Sequence, residues 1–210
     1  MLEKQKLMET VLMLTGYRQT ENIRHGRRVG EYVRILLSEA ESAYPEIRLT
    51  EEVKERIVLC AMLHDIGKNV LPDRVLSSGG RLTEKEYEYY RTHTLRGEEM
   101  AGMLSLVLDR ETVECLKNVC RYHHERYDGR GYPDRLSGEE IPFEAQVAGL
   151  ADAIDDMVSD RLYKYAYTFD DAYERIINGE CGVFSLRLIG CFLRAREELM
   201  QAVKEYRELR

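Results

Sequence analysis

A chain of 210 residues is long enough for one well-buried domain, with a short appendage at most. Its formal net charge of -7 excludes a broad basic face that grips duplex nucleic acid, because phosphate contacts need clustered Lys and Arg. A small anionic ligand stays open, since metal ions supply positive charge at contact range while diffuse surface charge is screened beyond about 8 Å.

Strand signals are nearly absent and the helical period recurs along the chain. Leu7, Val11 and Leu14 mark a first short helix. A second carries Val29, Val33, Leu36, Leu37 and Ala40 and stops ahead of Pro45. Thr50 can cap a third, with Val53, Ile57, Cys60 and Ala61 on one face. Thr83 and Glu86 form a capping-box pair opening a fourth helix that runs through His93. A fifth starts near Glu111, with Val113, Leu116 and Cys120 as its stripe and His123 near its end. A Gly-rich, Pro-containing stretch follows from Tyr127 to Pro142, and Pro142 suits the first turn of a sixth helix with Ala145, Ala148 and Gly149. Thr168 and Asp171 can open a seventh, and Ser185 to Leu209 reads as one long closing helix. The expected fold is a compact all-α, multi-helix bundle, with residues 1–20 as an N-terminal helix able to serve a homodimer and 21–210 as the main domain.

The five cysteines lack CxxC spacing and fall mostly in apolar helical runs, as in a reduced, cytoplasmic protein. Residues 1–14 mix Glu and Lys with Leu and Met, unlike a signal peptide. No apolar run approaches the roughly 20 residues that span a bilayer, so a soluble chain with no membrane partner is expected.

Extending each apolar stripe by steps of three or four residues puts a polar side chain on the inward face every time. On the second helix the stripe leads back to His25 and Glu21, and on the third it leads forward to His64. The fifth leads to His123, the sixth to Asp152, and His93 lies between Tyr89 or Tyr90 and Gly97. Burying so many ionisable groups without partners costs several kcal/mol apiece, and a shared cluster of divalent cations removes the difficulty. Taken singly, His93 reads more readily as a hydrogen-bonded core residue than as a ligand, while Asp152 can be a buried cap and Glu21 a solvated charge. The neighbouring pairs His64-Asp65 and His123-His124 diverge by about 100° on a helix, so each serves one site only near a helix end. Both occur where a helix is expected to stop.

The runs HDIGK (His64 to Lys68), HHERYDGRGYP (His123 to Pro133) and ADAIDDMVSDRLYK (Ala151 to Lys164) resemble the landmarks of the HD-GYP domain, a branch of the HD phosphohydrolase superfamily. The second matches the HHExxDGxGYP pattern throughout. The resemblance implies an HD-type bundle and metal ligation by His25, His64, Asp65, His93, His123, His124 and Asp152. It adds Glu21 for a third metal, Lys68 near the metals, and Tyr132, Arg161 and Lys164 on the nucleotide. Thr94 stands where many members have Pro, which should leave that helix less bent. Leu162 and Lys164 replace the common Pro and Arg, and Phe184-Ser185-Leu186 replaces an FDP-like turn.

The resemblance further implies hydrolysis of cyclic di-GMP to pGpG, in some cases on to GMP, by two or three divalent ions. A nitrogen and oxygen donor set suits Fe or Mn. Asp65 is expected to bridge two ions and orient the attacking water, and Lys68 to assist the phosphate or the leaving group. Arg161 and Lys164 would hold the second phosphate, while Gly129 and Gly131 let the loop approach the ligand. Alternatives are a phosphohydrolase of another cyclic dinucleotide and a non-catalytic module that binds a nucleotide or a partner. Arg126, Arg130 and Arg135 read equally as an ordinary solvated loop. Regulation would come from a partner protein, or the chain is an excised catalytic region.

Overall fold

A computed structural model describes residues 2–16, 20–76, 82–159 and 166–208, and among them there are helices and turns but no strand. In chain order the helices are α1 (Leu2–Gly16), α2 (Thr20–Ala43), α3 (Glu51–Ala61), α4 (Asp73–Leu76), α5 (Glu84–Arg91) and α6 (His93–Met103). They continue with α7 (Arg110–Tyr122), α8 (Phe143–Val158), α9 (Phe169–Ile177), α10 (Leu186–Arg194) and α11 (Arg196–Glu208), and a 3-10 turn covers Ile66–Val70. No described helix is long and apolar enough to cross a membrane.

Local chemistry sets the helix starts. Thr50 accepts from the Val53 N–H, Thr83 and Glu86 close a reciprocal capping box, and Thr168 accepts from the Asp171 N–H. Each occupies a backbone donor that the first turn leaves without a partner. Asp109 and Ser185 do the same for α7 and α10.

Helix α2 runs through the middle of the molecule. Its stripe of Val29, Val33, Leu36, Leu37 and Ala40 is buried, with α3 and α8 packed along it and α1, α10 and α11 on its flanks. Helix α7 joins α6, α3 and α8 into the same core. The N-terminal helix folds onto its own domain, with Met8 and Leu12 buried and Leu7 and Val11 packed against the core. The Leu14 side chain lies outside the described residues.

Two expected helices are broken. The one expected to run through His93, and to bend less with Thr at position 94, turns at Thr92. There Thr92 Oγ1, His93 Nδ1 and Thr94 Oγ1 donate to the carbonyls of Tyr89, Tyr90 and Arg91 at 2.7, 2.8 and 3.0 Å. Side-chain donors that capture carbonyls of the last turn compete with helix continuation. The closing helix breaks at Ala195, where ψ is 1°, and nothing in the sequence around it explains the break.

Candidate metal centre

The elements deliver their histidines at helix ends. Helix α3 stops at Ala61, and His64 donates Nδ1–H to the Ala61 carbonyl at 2.8 Å. His123 caps α7 and donates Nδ1–H to the Val119 and Cys120 carbonyls at 2.9 and 3.0 Å. His93 donates to Tyr90 at the end of α5, as above. One hydrogen bond thus does two things. It gives a carbonyl at the helix end a side-chain donor beside its backbone one, and it fixes the tautomer so that the Nε2 lone pair faces inward. His25 sits inside α2, and its Nδ1–H goes to Asp155 Oδ2 at 2.7 Å.

Asp65 stands between the resulting donors. Its Oδ2 lies 3.6 Å from His25 Nε2 and 3.2 Å from His64 Nε2. Its Oδ1 lies 3.4 Å from His93 Nε2 and 3.8 Å from His123 Nε2. Asp152 Oδ1 closes the first side, 3.3 Å from His25 Nε2 and 3.6 Å from His64 Nε2. His124 joins the second, since His93, His123 and His124 offer ligand atoms within 4.8 Å of one another. His25, His64 and Asp152 form a second such trio, and His64, Asp65 and His123 a third across the middle.

These residues fit divalent cations. Asp65 Oδ1 and Nε2 of His93, His123 and His124 are buried and have no hydrogen-bond partner, a costly state for four converging polar atoms unless a cation meets them. The charges are arranged to suit. Burial alone would raise the Asp65 carboxyl, but Lys68 and His64 hold it well below the usual range. Asp152 stays well below its ordinary value too, because His25 and His64 outweigh its burial. Burial pushes His93 down to about 4 and His123 down to about 3, the latter helped by the charge on His64, and it carries His124 well below its ordinary value. These three rings are neutral and ready to donate. His64 is raised to about 9 and His25 well above its ordinary value, because neighbouring carboxylates outweigh burial. With both Nδ1 atoms already donating, the 3.1 Å approach of the two Nε2 atoms sets two lone pairs face to face unless a proton or a cation lies between them.

Around this centre, Lys68 Nζ pairs with Asp65 Oδ2 and stays charged, since Asp65 outweighs the burial that would lower it. Its ammonium lies 5.4 Å from the Tyr90 ring centre. Tyr132 stacks on His124 at 4.6 Å, and the Arg91 guanidinium lies 4.4 Å over the same ring. His93 meets the same ring at 6.4 Å in an edge-to-face arrangement, so Tyr132 is packed directly against the second group of histidines.

Glu21 is not drawn into the cluster. Its half-exposed carboxylate sits 2.7 Å from Arg28 Nη2, because a guanidinium seven residues on along α2 offers it a partner. Gly129 and Gly131 serve the loop itself. Gly129 has φ of 74°, which favours glycine, and a Cβ on Gly131 would collide with the Glu125 and Arg126 backbone. Arg161 and Lys164 lie outside the described residues.

Two residues of this region, Asp155 and Glu125, carry no sequence expectation, and a third, Arg126, departs from the solvated reading. Asp155, three places after Asp152, is 1% exposed and binds both His25 and Arg28. Glu125 is 4% exposed and accepts from the Asp134 and Arg135 N–H groups at 2.7 and 3.0 Å, pinning the loop that carries Tyr132. Arg126 reaches the carbonyls of His123 and Cys181 at 3.0 Å, so it is a strut and not a solvated charge. The helical spacing of Asp155 from Asp152 was the one available signal.

An all-helical bundle that gathers buried histidines and aspartates at one place is a fold able to hold divalent cations. The chain belongs to the HD domain family, which matches residues 18–180, and within it to the HD-GYP branch whose loop pattern it carries. It is 37% identical over 162 residues to the cyclic di-GMP phosphodiesterase response regulator RpfG of Xanthomonas campestris, covering 77% of this chain and 42% of that protein. It is 32% identical over 206 residues to a cyclic di-GMP phosphodiesterase of Thermotoga maritima, covering 97% of this chain and 52% of that one. The chain therefore spans about half the length of these relatives. The fold is also similar to that of Bd1817, a HDG"Y"P protein of Bdellovibrio bacteriovorus. That likeness has a TM-score of 0.53 at 16% identity and covers 85% of this chain and 53% of the other.

Proposed function

We propose that this chain is a metal-dependent phosphodiesterase that opens cyclic di-GMP to pGpG. The observation that carries the reading is Asp65, whose two oxygens face two separate groups of histidine nitrogens. The Xanthomonas and Thermotoga relatives bear this activity in their names. His25, His64, Asp152 and Asp65 Oδ2 would hold one divalent cation, and Asp65 Oδ1, His93, His123 and His124 a second. The donors are nitrogen and oxygen only, which suits Fe or Mn. Bound there, such a pair lowers the pKa of a water from about 15.7 towards 7 and offsets charge growing on the phosphate.

The chain's own groups do the rest. Asp65 aligns the two sides, and Lys68, tied to it, keeps an ammonium beside the site for a phosphate oxygen or the leaving oxygen. Tyr132 offers its hydroxyl from the loop pinned by Glu125. Arg161 and Lys164 would hold the second phosphate. A third cation through Glu21 requires that carboxylate to leave Arg28. A cytoplasmic location agrees with five free cysteines.

The test is anaerobic purification with metal analysis, followed by chromatography of the products from cyclic di-GMP, a mixed cyclic dinucleotide and pGpG. We expect two ions per chain, pGpG from cyclic di-GMP, and no turnover in an Asp65→Ala variant that keeps its helical circular dichroism. Full activity in that variant, or hydrolysis of the mixed dinucleotide alone, overturns the proposal.

A further inference from the structure

The histidines flanking Asp65 are not all held in place by the same chemistry. His64, His93 and His123 each donate Nδ1–H to a neutral backbone carbonyl, at 2.8, 2.8 and 2.9 Å. His25 lies in the interior of α2, where the helix already uses the nearby carbonyls. Its Nδ1–H meets Asp155 Oδ2 at 2.7 Å, reached across 130 residues of sequence. Asp155 is itself held by two further residues. Arg28 donates Nε at 2.6 Å and Nη2 at 2.9 Å, and Ser159 donates Oγ at 3.2 Å. Arg28 follows His25 by three residues on α2, and Asp155 follows Asp152 by three on α8, so facing turns of two helices supply the whole assembly.

A carboxylate behind an imidazole raises its basicity and fixes its orientation more strongly than a neutral carbonyl does. The first side also has Asp152 as a direct anionic donor, whereas the second relies on three neutral rings and one oxygen of Asp65. Building on the two-cation reading above, we propose that Asp155, held by Arg28, is the positioning residue of His25. It makes the position formed by His25, His64, Asp152 and Asp65 Oδ2 the tighter of the two. Loading is then ordered. The Asp155-backed side fills first, and the side formed by His93, His123 and His124 fills second.

The test uses the full chain, freed of metal by chelation and loaded stepwise with Mn²⁺. Uptake is followed by calorimetry and by the electron paramagnetic resonance signal of free Mn²⁺. The wild type is expected to take up two ions in two resolved steps. Asp155→Asn keeps the shape but loses the charge, and should weaken the first step by about 10–100-fold while leaving the second unchanged. Arg28→Lys keeps a cation but loses the two-pronged grip, and should weaken the same step to a smaller degree. A selective loss of the first step supports the proposal. Equal weakening of both steps makes Asp155 merely structural, and an unchanged first step also overturns the assignment. If Asp155→Asn fails to fold, Arg28→Lys is judged by the same criterion. A wild-type chain that binds no Mn²⁺ removes the two-cation reading itself, a different outcome from wild-type binding that ignores Asp155.

Discussion

Gly67, in the turn between Asp65 and Lys68, is where the fold and the site are most tightly coupled. Its Cα crosses the first turn of α6, and a Cβ placed there would lie 2.9 Å from the His93 carbonyl carbon, with the His93 oxygen and the Gly97 nitrogen closer still. The His93 oxygen would lie at 2.0 Å, and Cβ contacts under 3.0 Å essentially do not occur, so in Gly67→Ala helix α6 must retreat by at least about 1 Å. Overpacking of this kind costs about 1–3 kcal/mol, and each kcal/mol lowers the melting temperature by about 2–4 °C in a domain of this size. The consequence for the site is larger. A retreat of that size is several times the ~0.2 Å within which metal–ligand distances must fall, so His93 should leave the second side of Asp65. Thermal denaturation and metal analysis of Gly67→Ala should show a lowered melting temperature, intact helical circular dichroism and loss of one ion per chain. An unchanged melting temperature with full metal content would refute the claim that this crossing sets His93.

Glu125→Ala removes the acceptor of the Asp134 and Arg135 N–H groups, at about 0.5–1.5 kcal/mol for each hydrogen bond, since both residues are exposed enough for water to replace the acceptor. Faster hydrogen exchange and proteolysis confined to residues 127–142 are expected, and wild-type protection there would contradict the pinning role. The chelated protein should also lose stability as pH rises. His64 is raised to about 9, so its contribution is complete below the unfolded value of about 6.5 and disappears as pH passes 9. His93 and His123, lowered to about 4 and 3, act in the opposite window, their contribution present above about 6.5 and lost as pH falls through those values. Because a cation takes the place of the proton between His25 and His64, loading at pH 7.5 should release at least one proton. Calorimetry in buffers of different ionisation heat measures it, and no release with a flat melting profile from pH 6.5 to 9 would sink the argument.

Much of this arrangement is legible in sequence because local rules and tertiary packing agree. The α2 stripe from Val29 to Ala40 is buried as its spacing requires, and Thr50, Thr83 and Thr168 cap where their side chains can reach a third-residue N–H. Following those stripes also brings His25, His64, His123 and Asp152 to one place. What sequence hides is chosen by partners far along the chain or by competing local bonds. Asp155 looks like any acid on α8 until the packing of α8 on α2 brings it to His25 and Arg28. Glu21 continues the His25 stripe, yet Arg28 on the same helix claims its carboxylate. The break at Thr92 depends on three side-chain donors acting on one turn, and helical periodicity does not register them.

The most direct test of the central claim is turnover by the metal-loaded chain. Cyclic di-GMP is incubated with wild-type protein of known ion content, with the same protein after chelation, and with Asp65→Ala, and the products are resolved by chromatography. The account predicts pGpG from the loaded wild type and intact substrate from the other two. Unchanged hydrolysis after chelation, or no hydrolysis by a chain carrying two ions, would contradict it.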